Sequence, residues 1–303
     1  MQIYLPIAEI SVNIFTILFL GGSVGVLSGM FGIGGGFLIT PLLILLGIPP
    51  SIAVPTTANQ IVASSVSGFL AHFKRGNIDF KMGGLILVGS LTGSTFGVWL
   101  FQILKELGQI DTVIALSYVA FLGSVGSLMA FESIKTIIHK RRNIVIKKKE
   151  KTRLVDRLPF KVYFPRSDLN VSVLMPIIVG IGAGMLVSIL GIGGGFIVIP
   201  AMIYLLKMPT SVVVGTSLFQ IIFTTANVTI LQSISTQSVD VVLAILLLLG
   251  STSGAQIGTK IGAKIPAENL RGILALIVLS VVAKLAFGLF SQPEELFTLV
   301  GGV

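Results

Sequence analysis

The sequence predicts an all-α polytopic membrane protein built from two inverted-topology repeats, each of about five helical segments with glycine-interrupted hairpins. Three observations carry this. Of 303 residues, 53% are hydrophobic and only 11% are charged, where a soluble domain carries about 25% charged residues. Mean hydropathy is +1.00, more apolar surface than a folded chain of this size hides from water. And one glycine hexapeptide occurs twice, unchanged, 159 residues apart. Together these exclude a soluble enzyme, a disordered chain and a collagen-like repeat. The alternating segments of about ten residues that mark an outer-membrane barrel are absent.

Charge-free runs and turn signals define the segments in order. No Asp, Glu, Lys or Arg occurs from Ile10 to Phe73, a length equal to about three spans of a bilayer core as helix. Glycine and proline cut the first half into segments 10–31, 36–47, 51–73, 81–104 and 111–138. The second half divides into 171–190, 195–206, 210–233, 239–261 and 270–291. Segments 36–47 and 195–206 are too short to cross a membrane. The chain thus divides into a first transmembrane repeat at 1–138, a basic cytoplasmic loop at 139–170 and a second repeat at 171–303. The start of the chain lacks the basic stretch of a signal peptide, so the first segment is expected to stay in the mature protein.

The repeat is Gly32-Ile33-Gly34-Gly35-Gly36-Phe37 against Gly191-Ile192-Gly193-Gly194-Gly195-Phe196. At the same offset Pro41 matches Pro200, Pro50 matches Pro209 and Thr57 matches Thr216. Two residues further out of step, Asp79 matches Asp240, and Gly89, Gly93 and Gly97 match Gly250, Gly254 and Gly258.

Loop charges orient the two units. Residues 140–168 hold eleven Lys/Arg and three acids, so they carry +8 of the chain's +9. This reads as a cytoplasmic loop under the positive-inside rule, with an anionic-lipid patch as the sharper alternative. It does not read as a nucleic-acid surface. Loop 74–81, with Lys74, Arg75 and Lys81, reads as inside, as does loop 260–271. Loops 104–111 and 234–240 and the acidic tail read as outside. Equivalent loops then sit on opposite sides, provided that each glycine-rich pair of segments forms a hairpin returning to its starting side. Both termini are expected outside, in a cell membrane.

The glycine runs suggest a site. Without a Cβ their amides lie bare, and each run opens a short helix, so free donors and a helix N-terminus point into the protein at membrane depth. Interrupted segments at matching positions of two halves mark a central substrate site in transporters. Close helix packing through small residues is the competing explanation. The substrate-binding candidates are Gly32, Gly34, Gly35 and Gly36 with Gly191, Gly193, Gly194 and Gly195. The next helix of each half adds Thr56, Thr57, Asn59 and Gln60, and Thr216, Ser217 and Gln220. On helical spacing Thr57, Gln60, Ser64 and Ser67 share a face, as do Thr216, Gln220, Thr224 and Asn227. Their neutral groups suit an anion, or hydrogen bonds between helices.

Two ionisable groups within the spans are candidates for gating or coupling. His72 ends the third segment and is either a proton sensor or an interfacial histidine. Lys284 interrupts the last segment, where a lysine is functional by default, unless it snorkels outward. The dinucleotide fingerprint fails, since neither run sits in a strand-to-helix unit with an acid about 20 residues on. No ATPase phosphate loop, catalytic acid pair or metal-ligand cluster is present, and there are no cysteines. No enzyme activity, cofactor or metal is expected.

The stretch Ser28-Gly29-Met30-Phe31-Gly32-Ile33-Gly34-Gly35-Gly36-Phe37 running to Pro41, then Thr56-Thr57, then His72 with Gly76-Asn77-Ile78-Asp79, resembles the TauE/SafE family of sulfite and sulfonate exporters. Gly191 to Pro200 and Gly215-Thr216-Ser217-Leu218-Phe219-Gln220 resemble it again. The resemblance covers most of the chain outside the basic loop. It implies export of sulfite, sulfoacetate or related organosulfonates by a secondary transporter. The partners are then a small anionic substrate and the lipid bilayer, and a homo-oligomer is compatible with the sequence. A passive anion channel, and a membrane receptor or assembly subunit with a partner-binding basic loop, are the alternatives.

Overall fold

A computed structural model describes residues 2–31, 36–141, 159–262 and 267–290. Each half begins with a two-stranded antiparallel hairpin. In the first half β1 (Gln2–Leu5) pairs with β2 (Ile10–Asn13), and the helices are α1 (Ile14–Phe31), α2 (Gly36–Leu45), α3 (Pro50–Lys74), α4 (Phe80–Glu106) and α5 (Ile110–Arg141). In the second half β3 (Lys161–Phe164) pairs with β4 (Leu169–Ser172). Its helices are α6 (Leu174–Leu190), α7 (Gly195–Tyr204), α8 (Thr210–Ser235), α9 (Val241–Gly262) and α10 (Ala267–Phe290).

Among the described residues, five helical stretches are long and apolar enough to cross a membrane: Phe80–Glu106, Ile110–Phe131, Val212–Ser235, Val241–Gly258 and Gly272–Leu289. The chain is thus a mostly helical, multi-pass membrane protein. The helices α2 and α7 have ten residues each, too short to span, as their sequence length requires. Pro41 and Pro200 sit inside them. Each removes the donor owed to the carbonyl four residues earlier, on Phe37 and Phe196.

The hairpins are absent from the sequence-based segments, which place residues 161–170 in the basic loop. Their turns repeat. Pro6 and Pro165 stand at the 159-residue offset, as do Glu9 and Asp168, both held at positive φ, 55° and 48°. The structure also refines the internal alignment. Five residues link α7 to α8 but four link α2 to α3, so Pro49 and Pro209 are the equivalent helix N-caps. From there the structural counterpart of Thr216 is Thr56, not Thr57, and Gln60 is the counterpart of Gln220.

The two halves pack by exchange. Helix α1 lies along α9 while α4 lies along α6, and α3 crosses its own counterpart α8. Glycine makes the first two pairs possible. A methyl group built on Gly25 would lie 2.4 Å from Ser251 O, and one on Gly254 2.1 Å from Gly22 O. On the other pair, Gly93 would meet Ile181 O at 2.1 Å and Gly184 would meet Ser90 O at 2.2 Å. The matching glycines of α4 and α9 are therefore a packing device.

Contacts sort the connecting segments into two groups. Ile7 N donates to Asp240 Oδ2, Ser51 N to Asp111 Oδ1, and Lys105 Nζ to Thr236 O and Ser238 Oγ. This gathers the first hairpin and loops 46–49, 107–109 and 236–240. Ser167 Oγ donates to Asp79 Oδ2, which joins the second hairpin to loop 75–79.

Candidate functional site

The second glycine run is built by backbone geometry closed to other residues. Gly191 caps α6 at φ 65°, with its N–H on Val187 O at 2.8 Å. Gly193 follows at φ 74° and Gly194, the N-cap of α7, at φ 70°. These left-handed values strain any residue with a Cβ. All of Gly191–Gly195 is buried. Gly195 N bonds to Gly193 O, and Ile197 N and Val198 N both bond to Gly194 O. The N–H groups of Gly194 and Phe196 have no backbone partner among the described residues, as expected at a helix start.

Of the first run, Gly32, Gly34 and Gly35 lie outside the described residues. Gly36 opens α2 and faces the second run: a Cβ there would lie 3.1 Å from Gly191 O and 2.0 Å from Ile61 Cδ1. A Cβ on Gly193 would lie 3.0 Å from the same Ile61 atom. Ile61, fully buried on α3, is thus wedged between Gly36 and Gly193. Beside it the rings of Phe37 and Phe196 stack at 4.9 Å with planes 7° apart. Gly36 and Phe37 of the first motif thus meet the second motif in the interior of the molecule.

The polar candidates divide by what their groups already do. Thr56 Oγ1 accepts from Asp240 N at 3.0 Å, and Thr216 Oγ1 accepts from Asp79 N at 3.0 Å. Thr57 Oγ1 donates to Ala53 O and Ser217 Oγ to Val214 O, each within its own helix. Asn59 is half-buried. Gln60 and Gln220 are fully buried and keep a free group. Gln60 Nε2 donates to Ser251 Oγ at 2.6 Å and Gln220 Nε2 to Thr224 Oγ1 at 2.7 Å, while the Oε1 of each is buried without a partner. Gln220 Oε1 lies 3.9 Å from the place a Cβ on Gly194 would take. The glutamine pair therefore has hydrogen-bonding capacity to spare, with the second glycine run beside Gln220.

His72 and Lys284 do not join this group. His72 is half-buried in the last turn of α3, twelve residues or about 18 Å along the helix from Gln60. It packs beside Gly215. Lys284 is exposed on α10. No group of three or more His, Cys, Asp or Glu arranged to hold a metal exists among the described residues.

Sequence reasoning used Asp79 and Asp240 only as markers of the repeat. Both are buried, at 2% and 0% exposure, and each tops a helix of its own half while bonding to the other half. Asp79 Oδ1 accepts from Met82 N and its Oδ2 from Ser167 Oγ; Asp240 Oδ1 accepts from Leu243 N and its Oδ2 from Ile7 N. An Asp just before an apolar helical run is an N-cap signal, and it is the one that could have singled them out.

A scan against protein families matches residues 17–285 to the model described as sulfite exporter TauE/SafE. The chain belongs to the TauE/SafE family. It is 30% identical to the probable membrane transporter protein YjnA of Bacillus subtilis, over 87% of this chain and 96% of that one. It is 26% identical to the probable membrane transporter protein YunE of the same organism, over 90% and 97%. Probable membrane transporter protein MJ0441 of Methanocaldococcus jannaschii is 27% identical, over 86% and 91%. No solved structure gives a significant match. These TauE/SafE relatives are named as transporters, which agrees with a chain of membrane-crossing helices.

Proposed function

We propose that this chain is a secondary transporter that exports small sulfur-containing anions, such as sulfite, sulfoacetate or another organosulfonate, by alternating access between two inverted repeats. The observation that carries the reading is that Gly36 and Gly193, one from each motif, flank Ile61 beside the Phe37–Phe196 stack, with the buried Gln60 and Gln220 alongside. A bare helix N-terminus favours negative charge. A glutamine amide turned by half a turn presents its NH2 to an oxyanion, and a hydroxyl such as that of Ser251 then donates to the carbonyl instead of accepting. The glycine candidates of both runs complete the site in this reading, and Thr56, Thr57, Asn59, Thr216 and Ser217 line or support it. His72 and Lys284 remain candidates for coupling or gating away from it.

The inverted arrangement draws support from the two groups of connecting segments. Loop 75–79 and its equivalent 236–240 fall in different groups, and the length of α4 lies between loops 75–79 and 107–109. In this reading both termini face outward in a cell membrane, and loop 139–170 is cytoplasmic. Ile61 fills the gap between Gly36 and Gly193, so substrate gains the centre only when one glycine hairpin moves off α3.

Counterflow in proteoliposomes tests the proposal. Vesicles preloaded with unlabelled sulfite or a small sulfonate should accumulate labelled substrate, saturably, and excess unlabelled sulfonate should block it. Conductance without saturation or counterflow would replace the carrier by a channel.

A further inference from the structure

A cavity of about 390 Å³ opens between the start of α4 and the turn of the second hairpin, lined among others by Phe73, Phe80, Lys81, Pro165 and Arg166. Its chemistry is two-sided. Lys81 and Arg166 are exposed and in no ion pair among the described residues. The Asp79 carboxylate on its wall is taken up by Ser167 and Met82 N. Two rings, Phe73 and Phe80, stand on the rim beside Gly76, Ile78 and Pro165. Phe73 and Phe80 meet edge-on at 6.3 Å, Phe80 meets Phe219 at 5.4 Å, and Phe219 meets Phe223 one turn further along α8 at 5.3 Å. Phe73, Phe80 and Phe223 are each about half exposed, at 53%, 49% and 48%. An apolar strip thus leaves a cationic cavity and runs along the flank of membrane-crossing helices.

The repeat shows that the scaffold does not demand this. The equivalent turn in the first hairpin has Ile7 where Arg166 stands, and α9 starts with Val241-Val242 where α4 starts with Phe80-Lys81. The backbone is repeated, but these cations and rings, drawn from both halves, have no counterpart at the equivalent place around Ile7, Val241 and Val242.

We infer that this cavity binds an anionic phospholipid, with Lys81 and Arg166 on its phosphate and its acyl chains along the Phe80–Phe219–Phe223 strip. Charge complementarity decides the occupant: two unpaired cations at the end of apolar spans match the anionic leaflet that faces the cytoplasm. The site is distinct from the run of charges at 140–161, because Lys81 lies on α4. A lipid held there bridges α4 and the hairpin, the same elements that Ser167 and Asp79 join. It steadies this end of the molecule.

Binding to the full chain in detergent, read by native mass spectrometry and thermal unfolding, tests this. Phosphatidylglycerol should be retained and raise Tm; phosphatidylcholine should not. Lys81→Ala with Arg166→Ala should weaken phosphatidylglycerol binding about thirtyfold, two cations at ~1 kcal/mol each. Its lipid-free Tm should match that of the unaltered protein, since neither side chain holds a structural bond. Lys161→Ala with Lys260→Ala removes the same charge elsewhere and should leave binding in place. An equal loss in that control would overturn the site in favour of diffuse attraction. An equal Tm gain from glycerol phosphate or sulfite would assign the cavity to a soluble anion instead. The readout is lipid binding, so its failure leaves the transport proposal untouched.

Discussion

The ring of Phe37 lies flat against the ring of Phe196, 4.9 Å away and 7° from parallel. These are the residues that close the two copies of one hexapeptide, so the stack joins the two halves at the heart of the molecule. Both rings are buried, at 0% and 3% exposure. Replacing either by Ala should cost about 3–5 kcal/mol. A double-mutant cycle on unfolding in detergent should give a coupling of about 0.5–1.5 kcal/mol, the excess expected of an aromatic pair beyond its buried area. Additive losses would mean that the rings share a core without depending on each other.

Gln60 and Gln220 separate a binding role from a structural one. Each has one amide end engaged and the other free. Gln60→Leu and Gln220→Leu should therefore change stability by no more than about 1 kcal/mol, the net worth of one hydrogen bond. In counterflow the same variants should lose at least about tenfold in rate. Thr57→Val, which removes only a bond to its own helix, should lose far less. Equal losses in all three would return Gln60 to the role of interhelical glue and Gln220 to a bond within α8.

The sequence carried most of this architecture because its punctuation is strong. Asp79 and Asp240 cap the helices that charge and glycine had already bounded, and the ten helices fall at the segments they delimit. The hairpins escaped because four-residue strands give too short an alternation to register, and the second lies beside a run of basic residues that dominates its surroundings. Matches at the 159-residue offset, such as Tyr4 with Tyr163, Pro6 with Pro165 and Val12 with Val171, are their trace in the sequence. The site was half legible. Helical spacing put Gln60 and Gln220 each on a polar face, one residue out of register at the 159-residue offset, but no periodicity tells which hydroxyls are spent on backbone groups. Thr56 and Thr216 look like ligands in the sequence, and in the structure their oxygens receive the N–H groups of Asp240 and Asp79. Such pairings join residues 137 and 184 positions apart, beyond what local pattern reveals.

Glycine supplies a prediction with an internal control. Gly93→Val places a Cβ about 2 Å from Ile181 O, and Gly254→Val does the same at Gly22 O. Backbone on both sides leaves nothing to yield, so each variant should drive α4 from α6 or α9 from α1 and yield little folded protein in size-exclusion chromatography. Gly182 sits in α6 with nothing within 4 Å of its would-be Cβ. Gly182→Ala should therefore be tolerated, with a gain of up to ~1 kcal/mol from helix propensity. A folded Gly93→Val protein with normal Tm would show that the close pairing of α4 and α6 is dispensable.

Each end of the molecule is fastened by a buried aspartate gripped from the opposite half, and alternating access requires these fastenings to release one at a time. Ser167→Ala removes one donor from Asp79, and a hydrogen bond to a charged group is worth about 1.5–3 kcal/mol. The chain has no cysteine, so a single one reports local opening without background. In the Ser167→Ala protein a thiol at Ile78→Cys, buried beside Asp79, should react roughly tenfold faster or more with a soluble maleimide. A thiol at Val239→Cys, beside Asp240, should keep its rate. Thr56→Val strips the acceptor from Asp240 N and should reverse the pattern, exposing position 239 and sparing 78. Were both positions to accelerate together in either variant, the two ends would open as one, and the rocking of one half against the other would have to give way to a mechanism without separate gates.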